Sequence, residues 1–226
     1  MAKSEAEHAP AGRPLVGILG GTFDPIHYGH LRMAEELADI LSLDTVRFIP
    51  AATPPHRQQP GTIAAHRAAM VGLAVAGNPR FIMDERELHR DGVSYTIDTI
   101  ISLREELGKE TAICLIMGSD AFVRLDTWHR WSELLDYCHL VLVQRPNMAS
   151  LQENLPVALQ AVLQDHATPD PSTLRSSSAG RISVQQIAAL DISATAIRED
   201  LLNRHSPRYL LPDSVIDYIH CHRLYR

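Results

Sequence analysis

The chain has 226 residues, 45% hydrophobic and 21% charged, a composition able to bury a sizeable core without disulfide or metal staples. A net charge of −6 argues against a nonspecific nucleic-acid binder, which needs a basic face, yet leaves room for a local cationic pocket for phosphates. Three cysteines are too few and too scattered for a disulfide framework; Cys114 and Cys138 stand in or beside apolar runs, where a thiol serves as a small core hydrophobe.

Residues 1–13, rich in Ala and Glu, read as a disordered leader, followed by a single domain over 14–226. The N-terminus carries no apolar signal segment and no run approaches membrane-spanning length, so the expected compartment is the cytoplasm, with no membrane partner. Short apolar runs at 15–19, 45–49, 80–83, 112–117 and 139–143 lack strict alternation, which predicts strands covered on both faces. Between them lie helical patterns. Leu31, Ala34, Leu37 and Ala38 share one face of the first, and Ile97, Ile100, Ile101 and Leu107 mark the third.

From 145 to 180 the character changes. Pro146, Pro156, Pro169, Pro171 and the run Ser176-Ser177-Ser178 predict an excursion or linker, with a short helix over 155–163. A strand at 181–185 follows, then a helix starting near Ser193 and a last one near Pro212, a residue suited to a first turn. Strands alternating with helices predict an α/β fold: a Rossmann-like, doubly wound, mostly parallel sheet with a small C-terminal helical portion over 190–226. In such sheets ligands bind beyond the carboxyl ends of the strands, where the strand order reverses.

The segment Gly20-Gly21-Thr22-Phe23-Asp24-Pro25-Ile26-His27-Tyr28-Gly29-His30 leaves the first strand and opens the first helix. Gly20 and Gly21 are expected to let the backbone turn sharply and approach a ligand, and Pro25 to stiffen the loop. His27 and His30, three residues apart, can face one ligand at a helix start, where free backbone N–H groups favour phosphate. Gly29 leaves room for a base or sugar against the backbone. No GxxxxGK[ST] is present, and the spacing of Gly17, Gly20 and Gly21 does not match GxGxxG. Two other readings of the histidines stand beside this one. They could ligate zinc, although such a site wants three or four ligands and only Asp24 is close, or they could satisfy core hydrogen bonds.

The block GGTFDPIHYGH resembles the (H/T)xGH signature of the nucleotidyltransferase superfamily, and more narrowly the bacterial nicotinate-nucleotide adenylyltransferases. The resemblance runs from about residue 15 to the terminal Leu-Tyr-Arg. It implies ATP contacts by Gly20, Gly21, Thr22, Phe23, His27 and His30. In Pro54-Pro55-His56-Arg57, it implies that Arg57 reaches the ATP phosphates, for which a guanidinium is well shaped. His66-Arg67, at the next helix start, reads as a surface face.

Ile192-Ser193-Ala194-Thr195-Ala196-Ile197-Arg198 resembles the family's ISSTxIR, with Ala194 in place of a serine that would add a hydroxyl donor. Ser193 is by itself a good helix cap. The resemblance adds a clamp on the β- and γ-phosphates by the helix start, Thr195 and Arg198. It places Gly118 and Asp120, in Met117-Gly118-Ser119-Asp120, near the nucleotide. For the acceptor it implies backbone contacts from Thr96, in Ser94-Tyr95-Thr96, and from His129, with Trp128 stacked on a pyridine ring and Trp131 left to the core.

The implied reaction joins ATP and nicotinate mononucleotide into deamido-NAD and pyrophosphate, with Mg²⁺ as cofactor, as a step of NAD biosynthesis. His27, His30, Arg57 and Arg198 would be the catalytic set. Phosphopantetheine adenylyltransferases and polyol-phosphate cytidylyltransferases share the GxFDPxxxGH loop; Ser94-Tyr95-Thr96, Trp128 and the greater length favour the pyridine nucleotide. A catalytically silent nucleotide-binding regulator is the alternative of another class.

Overall fold

A computed structural model describes residues 12–53, 61–144, 155–188 and 190–226. Six strands form one all-parallel sheet: β1 (Leu15–Gly21), β2 (Thr45–Pro50), β3 (Phe81–Met83), β4 (Ala112–Gly118), β5 (His139–Gln144) and β6 (Ile182–Gln186). Their spatial order is β3-β2-β1-β4-β5-β6. The sequence of connections reverses direction between β1 and β4, the crevice where open sheets of this kind take ligands.

Each central strand divides its residues between two cores, because successive side chains point to opposite faces. Leu15 and Leu19 of β1, Cys114 and Ile116 of β4 and Val141 and Val143 of β5 join one cluster. Val16 and Ile18, Ile113, Leu115 and Met117, and Leu140 and Leu142 join the other. Both faces are dry, so the strands read as apolar runs.

The helices cover those faces in order. On the first lie α1 (Tyr28–Ile40) and α2 (Ala64–Val75), through Ala34, Leu37, Ala38, Met70, Val71 and Val75. The chain then changes sides. On the second face lie α3 (Thr96–Leu107), α4 (Ser119–Phe122), α5 (Leu134–Tyr137) and α6 (Val157–His166). Finally α7 (Ala194–Leu202) and α8 (Asp213–Cys221) return to the first face through Ile197, Val215, Ile216 and Ile219.

The described part of the Pro-rich stretch is the β5–β6 crossover. Its α6 runs to His166, three residues past the expected end, and buries Leu159 and Leu163; Leu155, just before it, is buried too. Prolines punctuate the ends of this element without preventing a helix between them. Residues 1–11 of the expected 1–13 leader, and residues 145–154, lie outside the described residues; Arg13, at the end of that expected leader, is tied down by an ion pair with Glu110.

Cys114 and Cys138 are fully buried, as expected of core thiols, and burial pushes the Cys138 thiol up to about 12. No helix among the described residues is long and apolar enough to cross a membrane.

Candidate active site

The glycines of the opening motif behave differently from expectation. Gly20 and Gly21 remain in β1, paired with Ile49 and Pro50, and neither turns the chain. The turn falls at Phe23, whose φ is +49°, ahead of a cis Asp24–Pro25 bond. What Gly20 contributes is access: a Cβ there would meet no atom within 4 Å, so the strand end lies open. Phe23 is buried, its ring set edge-on to His30 at 5.1 Å and tilted against Phe48 at 6.1 Å. Only its backbone could meet a ligand.

His27 caps α1 and His30 is its third helical residue, and the two form a reciprocal capping box. Their rings stack with centroids 3.7 Å apart. The space that Gly29 leaves is taken by this pair: a Cβ at Gly29 would stand 2.9 Å from His27 Nδ1, so the glycine makes room for imidazole rather than for a base or sugar. His30 Nδ1 accepts from the His27 N–H at 3.3 Å, which puts the proton of neutral His30 on Nε2 and makes that nitrogen a donor. His27 is 6% exposed and His30 half-buried, so His30 is the more open of the two.

The amides of this helix start are largely committed inside the protein. Tyr28 N–H donates to Leu210 O, His30 N–H and Leu31 N–H to His27 O. The donors left to meet an anion expected at this helix start are thus chiefly the imidazoles rather than these amides.

α7 is brought against this motif. Ile192 lies beside Gly29, and Arg198 Nη1 donates to Asp24 O at 2.7 Å. Arg198 Nη2 also donates to Thr195 Oγ1 at 3.3 Å, which holds the guanidinium and hydroxyl together. Ser193 is the N-cap, accepting from Ala196 N–H at 3.4 Å. Arg57, with Pro54, Pro55 and His56, lies outside the described residues.

Arg67 corrects the surface reading. It is 0% exposed, and its guanidinium donates to Thr22 O at 2.6 Å, Ala52 O at 3.2 Å and Thr62 O at 3.1 Å. It thus ties the motif loop to the loop leaving β2. Burial lowers its pKa, with the charge of Asp24 opposing that shift. A signal was available in the sequence: Arg67 precedes Met70 and Val71 by three and four residues, on the apolar face of α2.

The residues expected at the acceptor gather around α3, whose first residue is Thr96. Ser94 Oγ accepts from Ala52 N–H at 3.1 Å and Thr53 N–H at 3.3 Å and turns its own proton to Glu87. Thr99 Oγ1 donates to Glu87 Oε1 at 2.6 Å. Burial pushes the Glu87 carboxyl above its ordinary range, while the two hydroxyls pull the other way. Glu87 is 7% exposed and carried no signal in the sequence, because its partners are brought to it by the fold.

Two contacts bring the tryptophan segment to the same helix. The Tyr95 and His129 rings lie 4.3 Å apart, and Arg130 pairs with Asp98 at 3.6 Å. Trp128 is half-buried against the second core. So is Trp131, which lies at the core margin rather than inside it. At the end of β4, a Cβ on Gly118 would overlap the Asp120 carboxylate, so glycine there lets Asp120 fold back over the strand end. Among the described residues no group of three His, Cys, Asp or Glu is placed to hold a metal, which sets the zinc reading aside for them.

A profile of the cytidylyltransferase-like family matches residues 18–200. The chain is 47% identical over 211 residues to a Pseudomonas syringae pv. tomato protein named "Probable nicotinate-nucleotide adenylyltransferase", covering 93% of each. A protein of the same name from Aeromonas hydrophila is 48% identical over 214 residues, covering 95% of this chain and 98% of the relative. Plasmodium falciparum nicotinic acid mononucleotide adenylyltransferase, solved in complex with NaAD, shares the fold with a TM-score of 0.69 at 16% identity, covering 93% of this chain and 97% of that one. With the parallel sheet, the paired histidines at its reversal point and this extent of likeness, the chain belongs to the nicotinate-nucleotide adenylyltransferases of the cytidylyltransferase-like family.

Proposed function

We propose that the protein transfers AMP from ATP to nicotinate mononucleotide, forming deamido-NAD and pyrophosphate in NAD biosynthesis. One observation carries the reading. The start of α1, with His27 and His30, and the start of α3, with Thr96, approach the same sheet edge from opposite faces, as helices following β1 and β3 must. A donor nucleotide and an acceptor held at these two starts would meet over the crevice between β1 and β4.

The mononucleotide's 5′-phosphate is ionised at neutral pH. Its oxygen attacks the α-phosphorus of ATP in line, the bond from that phosphorus to the bridging oxygen breaks, and pyrophosphate leaves. No strong base is needed, so the chain contributes placement and charge stabilisation. In this reading His30 Nε2–H and His27 donate to the triphosphate and to the charge growing on the bridging oxygen. Arg198 and Thr195, with Arg57 assigned on its place in the sequence, draw the pyrophosphate end, while Gly118 and Asp120 border the nucleotide. Trp128 stacks on the pyridine ring, and the Thr96 and His129 amides face its carboxylate. The sheet and the C-terminal helices act as one catalytic unit over 14–226.

Mg²⁺ would accompany ATP. Mg²⁺ keeps several of its waters, so few protein ligands would be needed to hold it. It would supply charge neutralisation on the triphosphate.

Pyrophosphate release from ATP is to be measured with nicotinate mononucleotide, nicotinamide mononucleotide, phosphopantetheine and a polyol phosphate. Turnover is expected to be fastest with the first. Release only with phosphopantetheine or the polyol phosphate would overturn the acceptor, and release with none would return the chain to a silent regulator.

A further inference from the structure

Asp24 sits in the motif between Phe23 and Pro25, yet the reaction described above gives it nothing to do. It is nonetheless 6% exposed, a depth at which a carboxylate needs compensation. Two groups supply it. Tyr225 OH donates to Asp24 Oδ1 at 2.6 Å, a short charge-assisted bond. The buried Arg67 guanidinium is close enough for charge attraction. Separately, the main-chain carbonyl of Asp24 accepts from Arg198 at 2.7 Å.

Tyr225 reaches Asp24 from a segment with its own constraint. After α8, Leu224 N–H donates back to Ile219 O, and both Leu224 and Tyr225 rest on the first core. Tyr225 has φ of +60°, a left-handed conformation that a bulky side chain rarely takes and that persists only where surroundings impose it. Burial and the neighbouring Asp24 carboxylate raise the phenol above its ordinary value, so the hydroxyl stays a donor.

We propose that Tyr225 is a positioning residue for the triphosphate side of the site. Through Asp24 it holds the loop from Thr22 to His27 in the place where His30 stacks and where Arg198 finds its carbonyl. The proposal rests on the adenylyl-transfer reading above. The Tyr225 hydroxyl reaches Asp24 of the motif loop, so its influence is expected chiefly on the donor half.

Tyr225→Phe keeps the ring and removes the donor. With ATP and nicotinate mononucleotide, kcat is expected to fall about ten- to a hundredfold, the range for a reacting group displaced by a fraction of an ångström to one. KM for ATP should rise with it, KM for the mononucleotide should stay within about twofold, and Tm should move little, since the ring packing persists. Asp24→Asn leaves Tyr225 an oxygen acceptor but removes the charge, and the double variant should be no slower than the slower single one, because both act on one loop.

If Tyr225→Phe lowers Tm but keeps kcat per folded molecule, or if the two losses multiply, Tyr225 merely packs and the proposal falls. If both KM values rise equally, it is also wrong, and the ratio holds even when part of the variant fails to fold. A wild-type protein that releases no pyrophosphate would instead sink the underlying reading, and this proposal with it.

Discussion

His30 shows how much one side chain depends on its immediate neighbours. The His27 N–H selects its tautomer, the His27 ring stacks on it, and the edge of Phe23 backs it. Removing a preorganised donor of this type costs about 10²–10³ in kcat. His30→Ala is therefore expected to lose that much turnover with its circular dichroism spectrum unchanged; near-wild-type turnover would refute the assignment. Trp128→Ala tests the other substrate. Stacking of a base on an aromatic ring is worth roughly 1–3 kcal/mol, so KM for the mononucleotide should rise while KM for ATP holds. Equal losses for both would mean that Trp128 serves the core beneath it.

At the scale of elements, α3 is fastened at both ends. Its N-terminal half is tied through Glu87 and Ser94 to the loop after β2. Towards its other end, Glu106 meets Arg47 of β2 and Arg86, both of which also hold Asp84 at the exit of β3. Burial pushes the Asp84 carboxyl up, but hydrogen bonds from Arg86 and Arg47 outweigh it and hold the group below the ordinary carboxylate range. A depressed folded value means that this contribution is complete above the unfolded pKa and is lost as pH falls through the folded one. Urea unfolding from neutral pH down through the carboxylate range should show wild type losing stability more steeply than Asp84→Asn. Parallel curves would show that the network contributes no pH dependence.

Across the whole molecule, Arg67 joins what the topology brings together. Its three carbonyl partners belong to the motif loop, the β2 exit and the approach to α2. Arg67→Met fills similar space but leaves those carbonyls and Asp24 without their cation. Breaking a buried charged cluster from one side costs about 3–5 kcal/mol, so chemical denaturation should register a loss of that size. Because the motif loop and the β2 exit are both released, KM is expected to rise for each substrate. A variant with unchanged stability and unchanged KM values would show that the loops hold themselves.

The strands were legible in the sequence because a sheet buried on both faces demands uninterrupted apolar runs, and turn residues bound them. Observed β2 and β4 begin at the expected residues, 45 and 112. The motif from Gly20 to His30 and the cap at Ser193 were legible for a related reason: their chemistry is local, written in residues a few positions apart. Glycine was the exception within that motif. Its meaning at Gly29 lies in which atom occupies the vacant space, and only packing decided that it was His27 Nδ1. The long-range polar contacts were likewise beyond local reading. Tyr225 meets Asp24 across 201 positions, and Arg67 meets Thr22 across 45. Hydrogen-bonding groups so far apart in the chain have no periodicity to betray them, so the tertiary fold alone determined which of the many charged and hydroxyl side chains were drawn inside to hold the site.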